Sequence, residues 1–281
     1  MKFREQHRIP DLGIGVGFRP KHAKDVLEAG GSKDVAWYEI VSENYMVGGG
    51  RLLENLERLR ASYSVIPHGV CMSIGAVEEL DEDYLARLKK LVRAIDPPYF
   101  TDHLCFCKAS GLDLHDLLPL PYTKEAIEHL VPRIRHVQQT IEKPFALENV
   151  SSYLAYNSSE MTEWELISEI AEKADCGILL DVNNVYVSAF NHGFDAEKFI
   201  DGIPADRVVQ IHLAGHTDKG TYLLDTHSDH VKDEVWSLYQ RAIRRTGAVS
   251  TLVEWDEQIP AFDVLAKEAA LAKKHRDEAL R

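Results

Sequence analysis

A closed (β/α)8 TIM barrel is the fold this sequence predicts, and three observations carry the prediction. Short β-rich apolar runs alternate with helically spaced segments along almost the whole chain. Eight such units fit into 281 residues, close to the roughly 250 that one barrel of this class takes. No linker, composition break or low-complexity tract interrupts them, so residues 1–281 are expected to form a single metal-binding domain.

The strands are predicted at Leu12–Gly17, Ala36–Val41, Ser64–His68, Tyr99–Leu104, Phe145–Glu148, Gly177–Asp181, Val208–His212 and Thr251–Glu254. Between them, Asp81–Asp96 sets Leu85, Leu88, Leu91, Val92 and Ile95 on one helical stripe. Thr123–Glu142 does the same with Ile127, Leu130, Ile134, Val137 and Ile141. Pro132 lies inside that second pattern and is expected to kink the helix or delay its start. Thr162 and Glu165 have capping-box spacing and open a helix that runs to about Ala174. Asp233–Thr246 and Ala261–Leu280 complete the set. An open doubly wound sheet would also alternate. Gly13, Gly15 and Gly17, however, lack the G-x-G-x-x-G spacing of a dinucleotide turn, and are expected to allow close packing at a strand end.

Composition narrows the function. With 45% hydrophobic and 27% charged residues the chain can bury a sizeable core. A net charge of -13 argues against nucleic acid as a partner and suits a site that gathers carboxylates around cations. Cys71, Cys105, Cys107 and Cys176 form no C-x-x-C pair and read as reduced thiols of a cytoplasmic protein. Met1 to Gly13 holds no apolar run, so no signal peptide is expected, and no stretch is long and apolar enough for a membrane span.

The chemistry is expected where the strands end, because that rim carries the active site in such barrels. Strand two ends near Glu39 and Glu43, strand three in His68, and strand four in Asp102 and His103. Strand five ends in Glu148 and Asn149, and strand six in Asp181 with Asn183 and Asn184 following. Strand seven ends in His212, with His216 four residues on, and strand eight in Glu254 with Asp256 beyond it. Any one of these could simply cap a strand or start a loop. Glu148, Asp181, His212 and Glu254, however, each follow an apolar run with no intervening turn, and a carboxylate buried there is costly unless it is paired or meets a cation. Mixed imidazole and carboxylate donors suit Zn, Mn or Fe, and these residue types do not choose among them. Asp225 and His227, two apart in the loop after strand seven, can both reach one ion or simply line a solvated turn. His192 reads as a capping or hydrogen-bonding residue, and Cys105 and Cys107 as small buried hydrophobes. His22, His129, His136 and His275 fall on helical patterns and are expected at the surface.

Longer motifs run through the same residues. They are Leu147–Leu154, Leu180–Ser188 with Asn191–Gly193, Ile211–His216, Asp225–His227 and Glu254–Trp255. Pro67–Gly69, Asp102–Leu104 and Leu118–Tyr122 extend them over nearly the whole chain. Together these resemble the multinuclear non-haem iron-dependent oxidases, a family with a xylose-isomerase-like TIM barrel. The resemblance implies two or three irons, with His68, His103, Glu148, Asp181, His212 and Glu254 holding a pair that Glu148 bridges. Asn149, Asp225 and His227 would serve a third position, with Asn184, His192 and His216 as further ligands or supports. The catalytic set would be Glu148, Asp181 and His212. The family's pattern carries a proline soon after Asp-Thr-His, whereas this chain has Ser228, Asp229 and His230. The resemblance further implies oxidation, with O2, of cysteines in a ribosomally made precursor peptide, aided by a small companion recognition protein. Two other readings fit the same donors. One is a Zn-, Mn- or Mg-dependent sugar isomerase or phosphodiesterase-like barrel, and the other a non-catalytic, metal-dependent peptide-binding subunit. Whether the barrel pairs into a homodimer is left open by the sequence.

Overall fold

The computed structural model describes residues 2–281. Eight parallel strands close into a barrel: β1 (Ile14–Gly17), β2 (Trp37–Val41), β3 (Ser64–Gly69), β4 (Phe100–His103), β5 (Phe145–Glu148), β6 (Gly177–Asp181), β7 (Val208–Leu213) and β8 (Ser250–Val253). Closure is direct, since β1 pairs with both β2 and β8. Helices return the chain between strands, and their apolar stripes pack on the outer face of the sheet. No helix among the described residues is long and apolar enough to cross a membrane.

The parity of the strands sorts the interior into layers. Side chains two apart on a strand share a face, so Trp37 and Glu39, Ile66 and His68, Ala146 and Glu148, and Leu252 and Glu254 form inward pairs. The lower members, with Phe3, Tyr99 and Val209, make a separate apolar cluster inside the barrel. The upper members are ionisable. The short helix Phe3–Gln6 brings Phe3 to this cluster, and the Arg4 guanidinium reaches the carbonyls of Thr246 and Ala248. Gly15 leaves the space that the Trp37 indole fills: a Cβ there would lie 2.3 Å from the ring. The indole N–H in turn donates to the Gly13 carbonyl at 3.1 Å.

Most element boundaries match the reading of the sequence to within one or two residues, and the capping box on the helix Glu163–Ala174 is formed on both sides. Pro132 does not delay the helix, one of the two outcomes expected of it. The helix starts at Lys124 and continues through it to Ile141. Pro132 and Glu128, four residues earlier, are both exposed, so the carbonyl that loses its N–H partner lies on the solvent side. Two hairpins at the strand-end rim have no counterpart in the sequence reading: Phe106–Ala109 with Leu112–Leu118, and Thr217–Asp218 with Leu223–Leu224. His22 is a second correction. It is buried, not at the surface, with Nε2 2.9 Å from the Pro260 carbonyl.

The Gly15 packing gives a stability test. Gly15→Ala forces a methyl into the Trp37 ring and is expected to cost about 1–3 kcal/mol, read as a lower midpoint in denaturant unfolding. An unchanged midpoint would mean that the indole has room to move.

Candidate metal centre

β3 to β8 deliver their last inward residues to one place. Glu148 is its hub. One carboxylate oxygen, Oε2, lies 3.3 Å from His68 Nε2 and 3.4 Å from His103 Nε2. The other, Oε1, lies 3.2 Å from His212 Nδ1, which is also 3.2 Å from Glu254 Oε2. Glu254 Oε2 then faces His227 Nδ1 at 3.2 Å, with Asp256 Oδ2 3.3 Å from the same nitrogen. Three donor groups follow, each with ligand atoms within 4.8 Å of one another: His68, His103 and Glu148; Glu148, Asp181, His212 and Glu254; and His227, Glu254 and Asp256. Glu148 belongs to the first two and Glu254 to the last two.

Four of the donors are aimed by a partner behind them. His103 Nδ1 is 3.0 Å from the Gly69 carbonyl, which can only accept, so the hydrogen sits on Nδ1 and the Nε2 lone pair faces Glu148. His68 Nδ1 meets Thr101 Oγ1 at 2.8 Å. His212 Nε2 lies 3.3 Å from Glu39 Oε2, which Gln210 also holds at 2.6 Å. Asp181 caps the helix Val182–His192, its Oδ1 accepting the Asn184 N–H at 2.6 Å, which leaves Oδ2 for the centre. Gly69 contributes by having no side chain, since a Cβ there would lie 2.0 Å from the Asp102 carboxylate. That buried carboxylate accepts from the His103 N–H.

The charge distribution asks for a cation. Glu148, Asp181 and His212 are at most 1% exposed. Burial favours the neutral form of Glu148, yet His212, His103 and His68 hold its carboxyl down at about 2. Burial and the neighbouring Glu148 push Asp181 well above the usual carboxylate range. For His212, burial works against the proton, but Glu39, Glu148 and Glu254 together raise the imidazole well above its ordinary value. Glu148 Oε2, Asp181 Oδ2 and His212 Nδ1 are buried and have no hydrogen-bond partner. Buried polar atoms left unpaired around one point are what a bound ion would satisfy. Nitrogen and carboxylate oxygen without thiolate fit Zn, Mn or Fe, so the residues present fit a multinuclear cluster.

The third group needs more detail. His227 Nε2 lies 2.7 Å from Asp225 Oδ1, but Nε2 has no aligned hydrogen-bond partner. Nε2 and Asp225 thus face each other on one side of the ring, while Nδ1 faces Glu254 and Asp256 on the other. Asn184 turns a buried, unpartnered Oδ1 in the same region and lines the cleft above. Asn149 is placed otherwise: its Oδ1 accepts the Asp181 N–H and its Nδ2 donates to the Asp181 carbonyl, both at 2.9 Å. It serves Asp181 rather than facing the centre. His192 hydrogen-bonds with Ser152, and His216 with Asn183. Cys105 and Cys107 are buried. His230, in the loop where the family pattern has proline, is held by Glu268 at 2.7 Å. Glu39 and Asp256 received no ligand or partner role from the sequence. Glu39 follows Trp37 and Tyr38 within a buried strand, the same signal that marked Glu148. Asp256 gives no such signal, lying in a loop where it also pairs with Arg19.

A cleft of about 780 Å³ opens above the donors, with walls from Arg19, His115, Asp116, Tyr153, Asp225 and Glu257. Over residues 13–277 the chain matches the family model described as RiPP precursor modification enzyme MbnB/TglH/ChrH. The chain belongs to this family. A UPF0276 protein of Anaeromyxobacter sp. (strain Fw109-5) is 51% identical over 269 residues, covering 96% of this chain and 94% of that protein. Among solved structures, D-psicose 3-epimerase from Clostridium cellulolyticum H10 superposes with a TM-score of 0.61 at 13% identity, over 96% of this chain and 99% of its own. An L-ribulose 3-epimerase gives 0.62 at 15% identity, over 95% of both chains. At those identities the epimerases share the barrel with this MbnB/TglH/ChrH member, and nothing more is drawn from them.

Charge balance at the centre sets a sign for metal uptake. The acidic neighbours keep a proton on His212 in the metal-free chain, and an ion on Nδ1 displaces it. Loading is expected to release protons, and affinity to rise with pH between about 6 and 8. Metal titration in weak buffer with a pH indicator checks this, and pH-independent uptake would contradict it.

Proposed function

We propose that this chain is a multinuclear iron enzyme that uses O2 to oxidise cysteine residues of a ribosomally made precursor peptide. We propose also that a small companion protein presents the peptide leader. The carrying observation is the sharing of Glu148 between two adjacent donor groups, which lets two ions sit side by side. Family membership supports a precursor peptide as the substrate. Iron, when bound, would supply one-electron chemistry with O2, which the alternative occupant Zn does not.

The residues divide the work. His68, His103 and Glu148 would hold one ion, and Glu148, Asp181, His212 and Glu254 a second. Asp225 and His227, through Nε2, would hold a third, with Asn184 at hand, while Glu254 and Asp256 face the opposite nitrogen of that ring. Gly69, Thr101 and Glu39 fix the imidazoles, so the donors are aligned before any ion arrives. Asn149 clips the Asp181 backbone and keeps its free carboxylate oxygen turned inward. The cleft would take the peptide in extended form, with the substrate cysteine lowered to His68 and His103, which line its floor.

Anaerobic reconstitution with Fe(II), followed by O2 and a cysteine-containing precursor with its companion, is expected to consume oxygen and change the peptide's mass. Turnover of a sugar or phosphate with Zn or Mn would instead favour Lewis-acid chemistry. Peptide binding with no mass change under any iron and oxygen regime would make the chain a binding subunit. Glu148→Gln is expected to deplete at least two ions and abolish activity while far-ultraviolet circular dichroism stays that of the folded barrel. Full metal content in that variant would sink the shared-ligand assignment.

A further inference from the structure

Asp225 lies in a loop just past the hairpin strand Leu223–Leu224, where no ladder fixes its side chain. Its backbone N–H donates to the Tyr153 hydroxyl at 2.8 Å. Its carboxylate is held from behind by Asn183, whose Nδ2 donates to Oδ1 at 2.7 Å. Asn183 is fully buried, and its own Oδ1 lies 2.8 Å from His216 Nδ1.

The chemistry leaves one consistent arrangement of this chain. A carboxylate only accepts, so Asn183 must turn its NH2 toward Asp225 and its carbonyl toward His216. His216 must then carry its hydrogen on Nδ1. The orientation of Asp225 thus depends on a residue in a different pocket, of about 340 Å³, which shares no lining residue with the cleft. There the His216 ring packs against Tyr186, with centroids 5.3 Å apart. Asn183 is the link between the two spaces. The spacing to His227 Nε2, 2.7 Å from the same Oδ1, is the distance this link sets.

We propose that Asn183 and His216 are positioning residues for Asp225, and that they determine whether the third cation position can form. The inference rests on the reading of that third position given above. Partners behind a metal ligand typically alter affinity by about 10–100-fold when removed. The effect is confined here to one ion, because neither residue touches the donors of the other two groups.

The test is an anaerobic Fe(II) titration of the full chain, with bound iron counted by elemental analysis. Asn183→Leu and His216→Phe are expected to weaken the weakest-bound ion by about 10–100-fold and leave the others unchanged. His216→Asn, whose amide nitrogen takes the place of Nδ1, is expected to restore it. Such rescue would not follow from a merely space-filling role. Should Asn183→Leu fail to fold, the two His216 variants decide alone. If both disruptive variants hold every ion as tightly as the unaltered protein while Asp225→Ala loses one, the positioning role is overturned. If Asp225→Ala loses none, the third position itself falls, and the inference with it.

Discussion

A carboxylate with no water around it sets the terms for this protein. Glu148 lies at the bottom of the rim with each oxygen committed to a different set of imidazoles. Left alone, burial would drive it neutral. It stays charged because three histidines face it, and each is held there by something rigid: a strand carbonyl, a strand threonine, or a carboxylate inside the barrel. The geometry works only if six neighbouring strands end at the same height, which a closed barrel of fixed stagger provides.

That requirement explains the division of the interior. The period of two along each strand gives every inward position a companion one layer down. In this chain the lower layer is apolar and is sealed beneath by Phe3, while the upper layer is ionisable. Electrostatic cost is therefore confined to one end, and the apolar layer under it supplies burial that the charged layer cannot. Glycine serves both layers: Gly15 makes room for an indole below, and Gly69 for the Asp102 carboxylate beside the centre.

Much of this was legible in the residues because buried parallel strands write themselves as unbroken apolar runs. A Glu or His directly after such a run, as at Glu148, Asp181, His212 and Glu254, marks the rim with little ambiguity. The signal weakens elsewhere. Glu39 carries it, but pairs in register with Ile66 rather than with His68 and meets the centre through His212. Asn149 has the right chemistry for a ligand, and only its pairing with both backbone groups of Asp181 reveals its other use. Asp256 lies in a loop, whose path no periodicity encodes. The hairpins fail for a related reason: the strand Leu112–Leu118 is largely solvated and charged, so its sequence lacks an apolar face.

The donors are dispersed along the chain, from His68 to Glu254, and adjacent only in space. No nascent segment can gather them, and the second group is incomplete until the last strand has emerged and closed against β1. The full donor set is therefore a product of tertiary closure: the chain has to bring its last strand back to its first before Glu254 can meet Glu148 and His212.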